Sequence, residues 1–327
     1  MADRDVPVGV LAVAVQRALQ APSVHNTQPW RWRLTDGLIE LHADPARQLV
    51  ATDPDLRDLV LSCGAALHHL QVALAAARLS AHVHRLPSPE DRWHLATVRV
   101  RPGAGDTGLA QLSRAIDERR TDRRPFGADP VSPQAIGRLV ACATQYGATL
   151  HPVTEPGARR RLDEVLADAG ARQRFAPGYA AELTIWSHRW AAARDGIPAT
   201  ARTTRTAAPD LRAFPRGTLG STRPQPAPGG HDGSVLLVLT TTGDEVLDHL
   251  LAGEATSAAL LTATVQGLAT TPLSQSQEVP ATRARLASSV LRSPDRPQLV
   301  IRIGHPGPGA SRIERTPRRM LEAVLMH

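Results

Sequence analysis

The chain has no lysine, and all 38 of its basic residues are arginine. That absence excludes a Walker-type phosphate lysine, a Schiff-base lysine and a lysine general base. Anions must be held by arginine or by backbone N–H groups, and the planar guanidinium suits phosphate because it engages two oxygens at once. Cysteine is scarce. Cys63 and Cys142 lie in apolar, helix-like segments and no Cys-x-x-Cys occurs, so neither a zinc ribbon nor a dithiol centre is supported. Aromatic residues are only 3% of the chain, so a core drawn from its 42% hydrophobic residues must rest on Leu, Val and Ala. No run reaches the ~18 uncharged apolar residues a membrane-spanning helix needs. Met1–Val8 carries Asp3, Arg4 and Asp5 in place of the basic start of a signal peptide. These absences predict a cytoplasmic protein without a membrane partner.

The 327 residues suffice for one large or two medium domains. Apolar spacing predicts helices over 8–20 and 55–79, the second with a stripe of Leu56, Leu59, Val60, Cys63, Leu67, Leu70 and Leu74. Strands are predicted at 30–34 and 38–42 around the Thr35-Asp36-Gly37 turn, and again near 94–101. Pro102-Gly103-Ala104-Gly105 is the first strong break. A second series follows: helices at 109–119, 133–143 and 157–169, a strand near 148–153, and an amphipathic segment at 178–192. After it come a strand at 234–240, a long helix at 245–268, the segment 271–279, a strand at 298–303 and a basic tail, 311–325, running into a short helix. Residues 194–234 differ in kind. They are rich in Pro, Gly, Thr, Ala and Arg, and read either as a lid or as a disordered insertion.

Two motifs stand out. Ala21-Pro-Ser-Val-His-Asn-Thr-Gln-Pro-Trp30 is a stiff polar loop with a proline near each end. It is either an ordinary helix–strand connector or a recognition loop for a planar, heteroatom-rich ligand. Arg119-Arg-Thr-Asp-Arg-Arg-Pro-Phe126 is the second. If extended, it puts Arg119, Thr121 and Arg123 on one face, as a phosphate cradle would, though a solvated basic turn fits the same octet. The cluster Arg312, Arg315, Arg318 and Arg319 reads as an exposed tail, a second phosphate clamp or a nucleic-acid patch. Against nucleic acid, the arginines are scattered, with no aromatic-interleaved basic stripe and no helix-turn-helix. His68 and His69 are adjacent on a helix and cannot both face one metal; they read as surface or partly buried histidines. His82 and His84 share a face, but no further ligand completes a site. Gly307-x-Gly309 lacks the third glycine of a dinucleotide fingerprint.

Together these residues resemble the FMN-dependent nitroreductase superfamily. The 21–30 loop is similar to the family's Ala-Pro-Ser-Ser-x-Asn-x-Gln-Pro-Trp loop, and the 119–126 octet to its Arg-Arg-Ser-x-Arg-x-Phe motif. Gly267–Pro280 resembles the Acg-type branch. In the family the arginine motif precedes the loop, and each flavin site of the homodimer draws on both subunits. Here the order is reversed and neither half carries both motifs. The resemblance therefore implies an α+β nitroreductase-like fold, internally duplicated as a single-chain pseudo-dimer of two degenerate subunits with mixed sheets flanked by helices. Its halves would be 1–104 and 105–327, sharing one flavin site per chain. By motif position, Ser23, His25, Asn26, Thr27, Gln28 and Pro29 would line FMN from one half. Arg119, Thr121 and Arg123 would hold its phosphate, ribityl and pyrimidine edge from the other. Arg318 or Arg319 would close on the phosphate. Ser274 and Gln275 stand where the family often has a Glu-Gly pair near the reactive ring nitrogen. The resemblance implies NAD(P)H and a small aromatic acceptor as partners, a monomer or weak homodimer, and no catalytic acid or base. A flavin-storage protein with a covered cofactor is the alternative.

Overall fold

The computed structural model describes residues 5–190, 192–204, 212–220 and 232–326. Val8–Ala18 (α1) leads through the 21–30 loop into Trp30–Thr35 (β1) and Leu38–Ala43 (β2), an antiparallel hairpin. Trp30 and Trp32 alternate with arginines, so one face of β1 enters the core and the other meets solvent. Gly37 turns the hairpin at φ 71°, where glycine carries no steric penalty. Arg57–Ala76 (α2) follows, then Leu79–Arg85 (β3) and His94–Pro102 (β4). The four strands form an antiparallel sheet in the order β1-β2-β4-β3.

The second half repeats this plan. Thr107–Gln111 (α3), Ser113–Glu118 (α4) and Pro133–Thr144 (α5) lead to Thr149–Val153 (β5). Pro156–Arg174 (α6) and Tyr179–Ser187 (α7) precede Val235–Thr241 (β6) and Val246–Val265 (α8). Ala269–Leu273 (β7), Gln275–Glu278 (α9), Pro280–Arg285 (α10) and Arg296–Gly304 (β8) complete it. The second sheet is also antiparallel, ordered β5-β6-β8-β7, so α8 stands in it where α2 stands in the first. The result is an internally duplicated α+β fold.

The halves meet where α2 crosses α8. Both helices have 20 residues, and Gly64 and Gly253 each lie seven residues from the start of their helix. The contacts are reciprocal: a methyl group on Gly64 would strike the Leu250 carbonyl oxygen, and one on Gly253 would strike that of Leu61. Glycine lets the backbones touch, and a pseudo-twofold relation follows from the pairing. Beside the crossing, the Ser257 hydroxyl lies 2.7 Å from Nδ1 of His68 and 2.8 Å from Nδ1 of His69. The tail returns to the first half, where the Trp32 amide donates to the Val324 carbonyl (2.8 Å) and the Met326 amide to Trp32 (2.7 Å).

Several sequence expectations need correction. The first helix ends at Ala18, and the 109–119 helix is broken at Leu112 into α3 and α4. Helix α7 stops at Ser187, leaving Trp190 exposed. The 271–279 segment divides into the end of β7 and the turn of α9. The tail helix is a single 3-10 turn, Leu321–Ala323. His68 and His69 are fully buried, because α2 is surrounded by the core rather than presenting one stripe to it. For the same reason α2, which is long and apolar enough to cross a membrane, is an interior helix here.

Gly64→Ala and Gly253→Ala should each destabilise the protein by about 1–3 kcal/mol or more, the usual cost of overpacking a close contact. Gly137→Ala and Gly170→Ala occupy open helical positions and should be neutral or stabilising by up to about 1 kcal/mol. Denaturant melts of the four variants test the contrast; equal losses would remove the special role of the crossing.

Candidate functional site

The 21–30 loop is held in a conformation that most residues avoid. His25, Asn26 and Gln28 have φ of 47°, 55° and 52°, the left-handed region usually left to glycine. Much of its polarity maintains that shape. The Ser23 hydroxyl accepts from the Gln28 amide (2.9 Å), and the Thr27 hydroxyl donates to the Val24 carbonyl (2.9 Å). The Val24 amide donates to Ser62 on α2 (3.2 Å). Asn26 Nδ2 donates to the Gly196 and Pro317 carbonyls at 3.0 and 3.1 Å. Gln28 Nε2 donates to the Arg194 carbonyl (2.7 Å), while its Oε1 accepts from the Arg319 amide (2.8 Å). The loop thus ties both the 194–204 segment and the C-terminal tail to the first half.

The arginine octet is extended along β7. The Asp122 amide donates to the Thr270 carbonyl (2.9 Å), and the Thr271 hydroxyl donates to the Asp122 carbonyl (2.6 Å). Alternation then separates its side chains. Arg119, Thr121 and Arg123 face the cavities, whereas Asp122 and Arg124 pair with each other at 2.8 Å and are buried. Arg120 also reaches the cavity wall while donating to the Ile313 carbonyl (3.1 Å).

Loop, octet and tail surround two adjoining cavities that share Pro22, Ser23, His25, Thr121 and Arg123. One, of about 680 Å³, is walled by Arg119, Arg120, Arg315 and Arg318 together with Asn26 and Thr316. Arg119 Nε and Nη1 and Arg318 Nε are buried without a hydrogen-bond partner among the described residues. Burial, with neighbouring arginines adding repulsion, pushes Arg119 down to about 10 and Arg318 to about 9. Desolvated, mutually repelling cations with unused donors form a site suited to a dianion. Among the described residues, Arg315 is the one of these four with an acidic side-chain partner, Asp117, at 2.8 Å.

The other cavity, of about 1020 Å³, has an apolar floor that includes Leu61, Ala65, Pro272, Leu273 and Leu299. Its charged and larger polar side chains are His25, Asp58, Arg123, Arg212 and Gln275, and hydroxyl residues such as Ser23, Ser62, Thr121, Thr271 and Ser274 complete the wall. His25 is held neutral, its pKa pulled well below the usual histidine range by burial and then by Arg212 and Arg123. Neither of its ring nitrogens has a hydrogen-bond partner among the described residues. Phe214, from the 212–220 segment, packs edge-on against His25 with ring centroids 5.8 Å apart and lies 4.9 Å beneath the Arg123 guanidinium. Burial, followed by repulsion from Arg212, lowers Arg123 to about 10.

Sequence reading missed the carboxyl cluster at the rim of this cavity. Asp58 on α2 lies beside Glu278 on α9, whose like charge opposes ionisation of Asp58. Burial, then the Glu278 and Asp53 charges, drives Asp58 well above the carboxylate range. Asp53 rises to about 6, mainly from burial. Glu278 pairs with Arg212 and accepts from Ser274 (2.6 Å); Arg212 also donates to the Tyr179 hydroxyl (2.5 Å). An aspartate in the first turn of a mainly apolar helix was a visible signal. Arg212 and Phe214 had none, because no periodicity surrounds them.

Of the residues singled out by sequence, Ser23, His25, Thr121, Arg123, Ser274 and Gln275 line the larger cavity. Ser23, His25, Asn26, Arg119, Thr121, Arg123 and Arg318 line the smaller. Thr27, Gln28, Pro29 and Arg319 line neither and stand behind it, Arg319 donating to the Gln28 carbonyl at 3.2 Å. Residues 194–204 and 212–220 cover the site; the rest of that segment's central part, 205–211 and 221–231, lies outside the described residues.

No family model matches the chain. Over 313 residues it is 40% identical to "Putative NAD(P)H nitroreductase Rv3131" of Mycobacterium tuberculosis, covering 94% of this chain and 88% of that protein. It is 35% identical over 333 residues to the acg protein of the same organism, which bears the same descriptor, covering 99% and 97%. Among solved structures, the FMN-dependent nitroreductase NfnB of Mycobacterium smegmatis in complex with NADPH aligns at 17% identity and a TM-score of 0.42, over 67% of this chain and 99% of that one. The chain belongs to the NAD(P)H nitroreductase family of Rv3131 and acg.

Two predictions arise here. Arg119→Met and Arg318→Met remove a desolvated cation each, so the ligand-free protein should melt at the same or a higher temperature. The stabilisation produced by added inorganic phosphate should fall at least severalfold, and an unchanged phosphate response in both variants would discard the anion site. Asp58→Asn addresses the carboxyl cluster. A raised folded-state pKa favours folding below the unfolded value near 4, and that advantage is lost as pH climbs through the folded value. The stability of Asp58→Asn relative to native should therefore increase from pH 5 to pH 8, as denaturant titrations at several pH values would reveal.

Proposed function

We propose that the chain is an FMN-binding oxidoreductase of the nitroreductase type, with one flavin site per chain. The observation that carries this reading is the joined pair of cavities, one lined by arginines of which Arg119 and Arg318 keep buried, unused N–H donors, and one with an apolar floor rimmed by polar side chains. A phosphate on a short polar chain attached to a flat heteroaromatic ring matches that division.

Arg119 and Arg318 would take the phosphate, with Thr121 and Ser23 along the connecting chain. Arg123 and the backbone near Ser274 and Gln275 would meet the polar edges of the ring, and a cation at Arg123 favours a ring that gains negative charge. Neutral His25 can donate one hydrogen bond and accept another without adding charge. The bound cofactor supplies two-electron transfer between NAD(P)H and a nitroaromatic or quinone-like acceptor. The protein's part is positioning and electrostatics; burial, and after it the neighbouring Glu278, favours a neutral Asp58, which keeps a second negative charge away from the cavity wall.

One observation favours the alternative of flavin storage. Phe214 and Arg212 sit over the larger cavity, Arg212 fixed by Glu278 and Tyr179, in the space a second planar substrate would use. The two readings part on one measurement. The purified protein should carry close to one FMN per chain by its visible spectrum, and anaerobic NADPH or NADH should bleach it promptly in the enzyme reading. Retained FMN that does not bleach supports storage, and a ratio of two would falsify the single shared site. Phe214→Ala should speed bleaching at least severalfold if the covering segment limits access.

A further inference from the structure

A second constellation lies on the outer face of the first sheet, and its residues line neither cavity of the candidate site. Glu40 and His42 are two residues apart on β2, so their side chains leave the same face. A register shift between Leu41 and His42 brings His42 opposite His94 on β4. The two imidazoles stack with centroids 4.3 Å apart and planes at 17°. Glu40 Oε2 lies 3.2 Å from Nε2 of His42. One ligating atom from each of the three residues falls within 4.8 Å of the others. The Asp91 carboxylate stands 3.7 Å from Nδ1 of His42, on the side away from Glu40. At 3.7 Å this is beyond hydrogen-bond range; closing the gap as the groups draw together would let Asp91 accept the proton on Nδ1 in a hydrogen bond and turn Nε2 to a ligand, the role a carboxylate plays behind many metal-bound histidines. Hydroxyls of Thr97 (2.9 Å) and Ser88 (3.4 Å) meet the nitrogens of His94 and can serve as donor or acceptor to either.

We propose that Glu40, His42 and His94 form a binding site for a divalent transition metal of the zinc class, with Asp91 orienting His42. Two imidazoles and one carboxylate, with a position left open, are a ligand set that zinc, cobalt and nickel accept. Tetrahedral zinc at about 2.0–2.1 Å from its ligands holds them roughly 3.4 Å apart, so the three groups contract around the ion. One group opposes it. Arg33 on β1 donates to the same Glu40 oxygen at 2.7 Å and must turn outward, which its half-exposed side chain permits. The bulge accounts for the absence of this site from a spacing search. His42 and His94 are 52 positions apart in sequence, and their opposition depends on the strand register.

The test is zinc binding to the tag-free full-length chain, followed by calorimetry and metal analysis after dialysis. The expected result is one zinc per chain, weakened at least tenfold in His42→Asn and in His94→Asn. Arg33→Gln should bind more tightly than native, a change that an unrelated surface site would not produce. His82→Asn/His84→Asn controls for the exposed histidines of β3 and should leave binding intact. Circular dichroism and the melting temperature establish that each variant folds. Failure to bind one equivalent, binding unchanged in folded His42→Asn and His94→Asn, or binding lost in the His82/His84 control would overturn the proposal.

Discussion

Everything in this molecule is arranged around the glycine-to-glycine crossing of α2 and α8. Gly64 and Gly253 let two buried helices touch at their backbones, and each helix belongs to the plan of a different sheet. The close approach leaves little room for side chains, so the polar groups beside it have to satisfy one another. Ser257 bridges both histidines of α2. Glu254, next to Gly253, is fully buried and accepts two bonds from Arg85 (2.7 and 2.9 Å) and one from Gln71 (2.7 Å). Such a pair adds little net stability compared with an apolar contact, but breaking it strands a buried charge, so it favours one register of the halves over others.

That register assembles the site. The 21–30 loop rests on α2 through Ser62, while the arginine strand runs along β7, whose position follows from α8. The tail then crosses from the second half to the edge of β1 and brings Arg318 to the cavity on the way. Although the halves share a topology, their contributions are unlike. One supplies a strained polar loop and the other a row of cations. Strain at left-handed His25 and Asn26 and repulsion among buried arginines both lower stability, and both lie at the cavities. This is the pattern expected where a ligand, and not the fold alone, rewards the arrangement.

The loop was legible as a motif, yet its side chains divide in a way that composition could not express. Ser23 and His25 reach both cavities, whereas Thr27 and Gln28 are spent on the loop's own hydrogen bonds and on anchoring other segments. The alternation of the arginine octet was legible for a simple reason. Once the segment is extended, period-two geometry decides which residues share a face. The interior position of α2 was not, because its apolar stripe looks like that of a helix lying on a surface. Only contact with α1, α8 and the first sheet from several sides explains why His68 and His69 are buried.

By itself the sequence determined most of the local elements, though not strand β3, together with the lysine-free chemistry of anion binding and the two motifs, since each depends on residues close together along the chain. Tertiary structure alone decided which distant groups meet. Asp58 finds Glu278 and Arg212, Phe214 covers His25, and His42 faces His94 across a bulge. The physical reason is that side-chain chemistry is encoded at single positions, whereas proximity depends on strand register and helix crossing, which arise from the packing of the whole core.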